Sequence, residues 1–422
     1  MPGHKRSNKF GISGIEFDIT EISDFDNLHA PDGILLDIEE RLAAHYNAKK
    51  SFMLVNGSTL GILSSIFAVC GEGDKIIIAR NCHKSVFNAC MLRKLKVVYI
   101  EPEFDDENGF YKHITQMTVD SITEKHPDAK ALVITSPTYE GYVSDISSPI
   151  PLIIDAAHAA HFGLGSFPSY PKGNIVVSSL HKTLPALTQT AVINVYDDSY
   201  IERIKRYLDI FETSSPSYLL MNSVDLCLDY IEKNVSDFDD YCKLLSVFHS
   251  RKLSKLKIRK NDDLSRIIVS SANTDIEGTA LCDILRNEYG IEAEAASKNY
   301  IILISTVADD AKALDLLFEA LYEIDGSIKE RASKPFIKPP CTSKELIISV
   351  DDNSQSVAFE ESVEKKANEF IFAYPPDIPI IIPGEIISDS TLDYIGKLIK
   401  SGVNVISDSG LLPDKILTKA DY

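Results

Sequence analysis

The sequence predicts an α/β fold: a large domain with a mostly parallel sheet, followed by a smaller α/β domain. Three observations predict it. Between about residue 50 and residue 195, seven short β-rich apolar runs alternate with helix-like segments. The runs are apolar throughout rather than at every second residue, the pattern of strands covered on both faces. Past about residue 256, strand-like and helix-like stretches alternate again over shorter spans.

Residues 1–50 hold polar loops and one amphipathic stretch, residues 34–42, read as an arm or packing helix rather than a domain. The strand candidates are residues 52–55, 75–78, 97–100, 131–134, 152–154, 174–177 and 191–195. Residues 217–255 look helical and bridge to a second domain. There, 266–269 and 300–304 read as strands, and 276–289 and 309–323 as helices. Lys338-Pro339-Pro340 and Tyr374-Pro375-Pro376-Asp377-Ile378-Pro379 punctuate the C-terminal part. The expected organisation is an N-terminal arm or packing segment at 1–50, a large domain at 51–240 and a small α/β domain at 241–422.

A chain of 422 residues, 44% of them hydrophobic, can bury a large core. It has no apolar run long enough to span a bilayer, and its first residues, Met-Pro-Gly-His-Lys-Arg, lack the apolar centre of a signal peptide. A cytoplasmic address is expected. The net charge of −19 opposes nonspecific binding to nucleic acid or anionic membrane. It fits a cationic substrate, and equally plain solubility. Seven scattered cysteines without CxxC spacing support neither a disulfide framework nor a zinc site. Cys70, Cys90, Cys227 and Cys282 sit in apolar or helix-like runs; Cys82, beside His83, is placed nearer to chemistry.

Ligands of open α/β sheets collect beyond the carboxyl ends of the strands. After 52–55 comes Asn56-Gly57-Ser58-Thr59 and then a helix-like run. A glycine turn with two hydroxyls at a helix start offers N–H donors and a favourable dipole to a phosphate, or else is an ordinary N-cap. After 76–79 comes Arg80-Asn81-Cys82-His83-Lys84-Ser85, where His83 stacks on an aromatic cofactor or serves as a capping or core residue. After 152–154, Asp155 either accepts backbone N–H bonds or faces a protonated pyridine nitrogen. After 174–177 comes Ser178-Ser179-Leu180-His181-Lys182-Thr183, in which the lysine snorkels to solvent or acts as an amine nucleophile. Together, and in this order on successive strand ends, phosphate cup, ring, carboxylate and lysine are what a pyridoxal-5′-phosphate (PLP) site requires.

At these positions the chain resembles the Orn/Lys/Arg decarboxylase family, PLP enzymes of fold type I. The matching words are Pro2-Gly3-His4-Lys5, Asp26-Asn27-Leu28-His29, Val55-Asn56-Gly57-Ser58-Thr59, Arg80-Asn81-Cys82-His83-Lys84-Ser85 and Ser136-Pro137-Thr138-Tyr139-Glu140-Gly141. They continue with Asp155-Ala156-Ala157-His158, Ser179-Leu180-His181-Lys182-Thr183-Leu184-Pro185, Thr213-Ser214-Ser215-Pro216-Ser217-Tyr218 and Ile382-Pro383-Gly384-Glu385. The resemblance implies that Lys182 carries PLP as a Schiff base, Asp155 pairs with the pyridine nitrogen and His83 stacks on the ring. Ser58, Thr59, Ser179 and His181 would surround the phosphate, and His158 would lie near the ring. Lys182 or His181 would return a proton to the substrate carbon. Thr213 would reach the phosphate of a neighbouring subunit, which implies a homodimer or higher assembly with a shared site. Glu385 would contact the distal amine of a substrate.

The reaction so implied is decarboxylation of lysine, arginine or ornithine to the amine and CO2. The likeness is to the short form of the family, since this length leaves no room for the N-terminal receiver-like domain of the long members. Three departures stand out: Ala156 where glutamate is typical, Lys365-Lys366-Ala367-Asn368-Glu369-Phe370 in place of a Val-Gly-Arg-Ile-like word, and Asp377 where glycine is common. Two other readings stay open. One is a different PLP reaction such as transamination, needing an arginine clamp for which Arg266, Arg286 and Arg331 are the candidates. The other is a non-catalytic PLP-binding paralogue.

Overall fold

The seven apolar runs lie side by side in one sheet of the computed structural model, which describes residues 1–22, 25–332, 336, 338, 345–374 and 377–420. The proline pairs 339–340 and 375–376 lie outside the described residues. The strands are β1 (Lys50–Leu54), β2 (Lys75–Ala79), β3 (Lys96–Ile100), β4 (Leu132–Thr135), β5 (Leu152–Asp155), β6 (Ile175–Ser179) and β7 (Ala191–Val195). Their order in space is β1-β7-β6-β5-β4-β2-β3, and Leu346–Ile347 is added antiparallel to the outer edge of β3. Among the seven, only β7 runs against its neighbours β1 and β6. The pairs β2–β3, β2–β4, β4–β5 and β5–β6 are parallel. The expected mostly parallel α/β sheet is thus present. Its strands are buried almost end to end, Ile76, Ile77 and Ile78 among them, because helices cover both faces.

Register decides what the strands present at their carboxyl ends. Thr135 of β4 pairs with Asp155 of β5, so these two strands end in one row, and Asp155 pairs with Val177 of β6, two residues before β6 ends at Ser179. The segments that follow leave the sheet at that edge, which is where a ligand finds both side chains and free backbone donors.

Helix α1 (Ile34–His45) buries Leu35, Ile38 and Leu42, the apolar face of the predicted packing helix. Helix α2 (Gly57–Val69) lies flat on the sheet, and Gly61 is the point of closest approach. A Cβ there would sit 2.6 Å from Val177 Cγ1 and 3.0 Å from Leu54 Cδ1, too close for any carbon pair. Gly61→Ala therefore pushes α2 off the sheet, at an expected loss of about 1–3 kcal/mol typical of overpacking. A lower denaturant midpoint checks this, and an unchanged midpoint would contradict it.

Helices Tyr218–Lys233 and Val235–Ser250 fill the stretch predicted helical. Beyond them, Lys257–Arg259, Arg266–Ser270, Tyr300–Ile304 and Ala295–Ala296 form a four-stranded antiparallel sheet. Helices Gly278–Tyr289 and Ala311–Ser327 belong to the same region. Residues 345–420 gather a separate apolar cluster around Ile381, Ile395, Leu398 and Ile416, with helix Asp389–Lys400 and two small antiparallel sheets. Among the described residues, no helix is long and apolar enough to cross a membrane.

Candidate active site

The carboxyl edge of the sheet opens into a cavity of about 370 Å³. Eight of the residues singled out from sequence line it: Ser58, Thr59, His83, Asp155, His158, Ser179, His181 and Lys182. Each arrives by the local logic of its element. The chain turns from β1 into α2 through Gly57, whose φ of +76° is a left-handed conformation that disfavours a side chain. This sets Ser58 and Thr59 in the first turn of α2, beside the helix's unpaired N–H groups. Asn56 holds the N-cap position but makes no side-chain cap bond, so a pure capping account of this turn fails.

His83 both caps and faces the cavity. Its Nδ1 accepts the Ser85 N–H at 3.2 Å at the start of helix α3 (Lys84–Leu92), which leaves the rest of the ring on the cavity wall. Asp155, the last residue of β5, is buried and accepts the Ala157 N–H at 3.1 Å through Oδ1. Lys182 lies on the single helical turn Leu180–Thr183 that follows β6. Its Nζ is 3.1 Å from His158 Nε2. Burial draws the Lys182 amine below the ordinary lysine range against the pull of Asp155. His158 is driven well below the usual histidine range, first by burial and then by the charges of Lys182 and Arg266. His181 Nδ1 donates to the Thr190 carbonyl at 2.8 Å, and burial lowers its ring as well.

Two residues of the sequence reading stand elsewhere. Thr213 is half-buried beside the cavity's rim: its N–H donates to Asn56 Oδ1 at 3.2 Å and its carbonyl accepts from His29 Nε2 at 2.9 Å. Glu385 is buried away from the cavity, where its Oε2 accepts the Ile382 N–H at 3.1 Å and lies 3.9 Å from Arg80. Arg80 in turn donates to the carbonyls of Pro379 and Ile380, so these two motif words tie the C-terminal segment to β2. Cys82 is fully buried and absent from the cavity wall, with burial pushing its thiol up to about 12.

The cavity also holds residues that strand-end reading passed over. Thr135 ends β4 and Asn81 follows β2, and the same rule would have found them. Tyr139 donates its hydroxyl to Glu294 at 2.8 Å and meets His158 edge-on at 5.2 Å. Glu294 comes from the loop before Ala295–Ala296, too far along the chain for any local signal. Asp377 has a φ of +63°, which explains why glycine suits this position. Its carboxylate lies 3.8 Å from His83 Nε2 and 3.3 Å from Lys84 Nζ. Ala156 is fully buried and off the cavity wall. In the divergent word 365–370, the Glu369 carboxylate accepts the Leu417 and Ser409 N–H groups, a structural role.

These residues fit PLP. Ser179 Oγ and Asn81 Oδ1 are buried polar atoms without a partner among the described residues, and both belong to residues on the cavity wall. The α2 N-terminus suits a phosphate, Asp155 a protonated ring nitrogen, and Lys182 an aldehyde carbon. Among the described residues, no arginine lines the cavity: Arg286 is exposed and paired with Glu292, Arg331 is exposed, and Arg266 is buried behind His158.

A seven-stranded sheet of this order, with lysine, carboxylate and histidine on its carboxyl edge, defines a fold-type-I enzyme. Residues 3–241 match the major domain of the Orn/Lys/Arg decarboxylases, and residues 328–404 match the C-terminal domain of the same family. An arginine decarboxylase of Halalkalibacterium halodurans is 30% identical over 96% of this chain and 91% of its own. A Bacillus subtilis protein without an assigned function, YaaO, is 31% identical over 96% and 92%. The solved structure of the constitutive lysine decarboxylase of Escherichia coli superposes with a TM-score of 0.78, covering 100% of this chain and 79% of that one at 16% identity. The chain belongs to the Orn/Lys/Arg decarboxylase family, and its enzyme class is that of the amino-acid decarboxylases.

Proposed function

We propose that this protein removes the α-carboxyl group of a basic amino acid as CO2, using PLP held covalently by Lys182. The observation that carries the reading is the convergence of Lys182, Asp155, His83 and the α2 N-terminus on one cavity. When bound, PLP serves as the electron sink for the pair left behind by the departing carboxylate. Asp155 keeps the facing ring nitrogen protonated, since a buried carboxylate favours a cation beside it. His83 supplies a flat face for stacking, and Ser58, Thr59 and Ser179 supply donors for the phosphate. A neutral His181 carries its only proton on Nδ1, committed to Thr190, and so has none to give from Nε2. We therefore assign the proton returned to the substrate carbon to Lys182 Nζ, which is neutral before substrate arrives and takes up the proton that the substrate's α-ammonium sheds.

For the distal group, Glu294 and Asp377 place two carboxylates on the cavity wall, which suits a guanidinium or ammonium. Arginine is our first choice, because the relatives that align along nine-tenths of the chain include several named arginine decarboxylase. The half-buried Thr213, outside its own cavity, supports a dimer in which it serves the partner's site. Purified protein supplied with PLP and, separately, arginine, lysine and ornithine tests the reading by CO2 and amine release. Release from arginine is the expected result; none from all three would overturn it.

A further inference from the structure

Among the described residues, Arg266 is the largest fully buried side chain, at 0% exposure. Its Nη2 lies 2.5 Å from His158 Nδ1, while its Nε and Nη1 have no hydrogen-bond partner among the described residues. The buried carboxylate of Asp263 is engaged by His161 Nε2 at 3.2 Å and by the Ser265 hydroxyl at 2.6 Å, and it feels the Arg266 charge. A full positive charge is thus held directly behind the histidine that touches Lys182.

The chemistry of that contact has one solution. A guanidinium can only donate, so His158 Nδ1 must be the acceptor and carry no proton. A neutral imidazole then bears its proton on Nε2, the atom 3.1 Å from Lys182 Nζ. An N–H pointed at Nζ requires a lone pair there, which only the uncharged amine has. Protonating either His158 or Lys182 would add a second cation within reach of a buried first one. Asp155, Glu294 and Asp377 pull the Lys182 amine the other way, and His83 and His161 add to the field around His158.

We propose that Arg266 is a positioning residue: it fixes the tautomer of His158 and so holds Lys182 as an aimed, neutral amine. This rests on the reading of Lys182 as the cofactor-bearing residue, and it is testable without turnover. The full chain, cleared of cofactor, is compared as wild type, Arg266→Met and Arg266→Lys, with circular dichroism to confirm folding. Nitrogen NMR of labelled histidine reads the His158 tautomer, and trace acetylation across pH with peptide mass spectrometry reads the titration of Lys182. Wild type should show the Nε2–H form at neutral pH. Arg266→Met should raise the half-titration pH of Lys182 by about one unit, a tenfold loss of free amine at fixed pH, and Arg266→Lys should restore part of it. A proton on Nδ1 in wild type, or equal Lys182 titration in wild type and Arg266→Met, would overturn the proposal. Should Arg266→Met not fold, the wild-type tautomer alone decides. Absence of CO2 release with these results intact would fault the decarboxylase reading and leave this one standing.

Discussion

Lys182→Ala is expected to lose covalent cofactor attachment altogether and turnover by at least about 10⁴-fold, the upper end of what one positioned reacting group contributes. On the proposed reading two functions end together in this variant: the amine that would hold the cofactor and the donor that would return the proton. Yet the fold should not suffer. In the folded protein the amine's proton affinity is lowered by burial, so between the lowered pKa and the ordinary one the unfolded chain binds more protons than the native one. The lysine therefore destabilises the cofactor-free protein below its ordinary pKa, and that penalty fades as pH rises toward the ordinary lysine range. Cofactor-free Lys182→Ala should accordingly unfold at the same or higher denaturant concentration than wild type at pH 7, with the difference shrinking at alkaline pH. A variant that loses stability as well as turnover would mean that Lys182 is held by packing rather than kept for chemistry.

Asp155→Ala separates attachment from turnover. Removing one member of a desolvated charge pair costs about 3–5 kcal/mol, which in a rate is on the order of 10²–10³-fold or somewhat more. The loss falls where a protonated ring nitrogen would be needed, while Lys182 and the α2 N-terminus, which are proposed to hold the cofactor, are untouched. The expected variant is therefore one that still binds PLP covalently, shown by its visible absorbance, but turns over slowly. Asp155→Asn keeps the volume and the bond from the Ala157 N–H but not the charge, so it should be nearly as slow. Full activity in Asp155→Asn would assign this residue a purely structural part.

How much of this was legible in the sequence follows from what each signal measures. The uninterrupted apolar runs marked seven strands of the large sheet, because burial on both faces leaves a one-dimensional imprint, and missed the two-residue edge strand Leu346–Ile347, which lacks it. The strand-end rule then brought eight side chains to one cavity, because parallel register puts strand ends side by side, as Thr135 and Asp155 show. What was not legible depends on distant segments. Glu294 and Asp377 enter the cavity from loops far along the chain, and neither follows a strand of the large sheet. Arg266 was visible as an arginine opening a strand, but its contact with His158 spans 108 positions. Glu385 sits in a motif word, and here its carboxylate serves Arg80 and the turn at Ile382 rather than the cavity. A motif fixes which residues are present; the packing of the C-terminal segment decides what they touch.

The central claim is that Lys182 is the residue that carries PLP. Borohydride reduction of the purified protein supplied with PLP, followed by peptide mapping, tests it most directly, since reduction makes the linkage permanent. The expected result is one phosphopyridoxyl group per chain, on the peptide containing Ser179-Leu180-His181-Lys182, and none in Lys182→Ala. A label on another lysine, or spread over many, would contradict it.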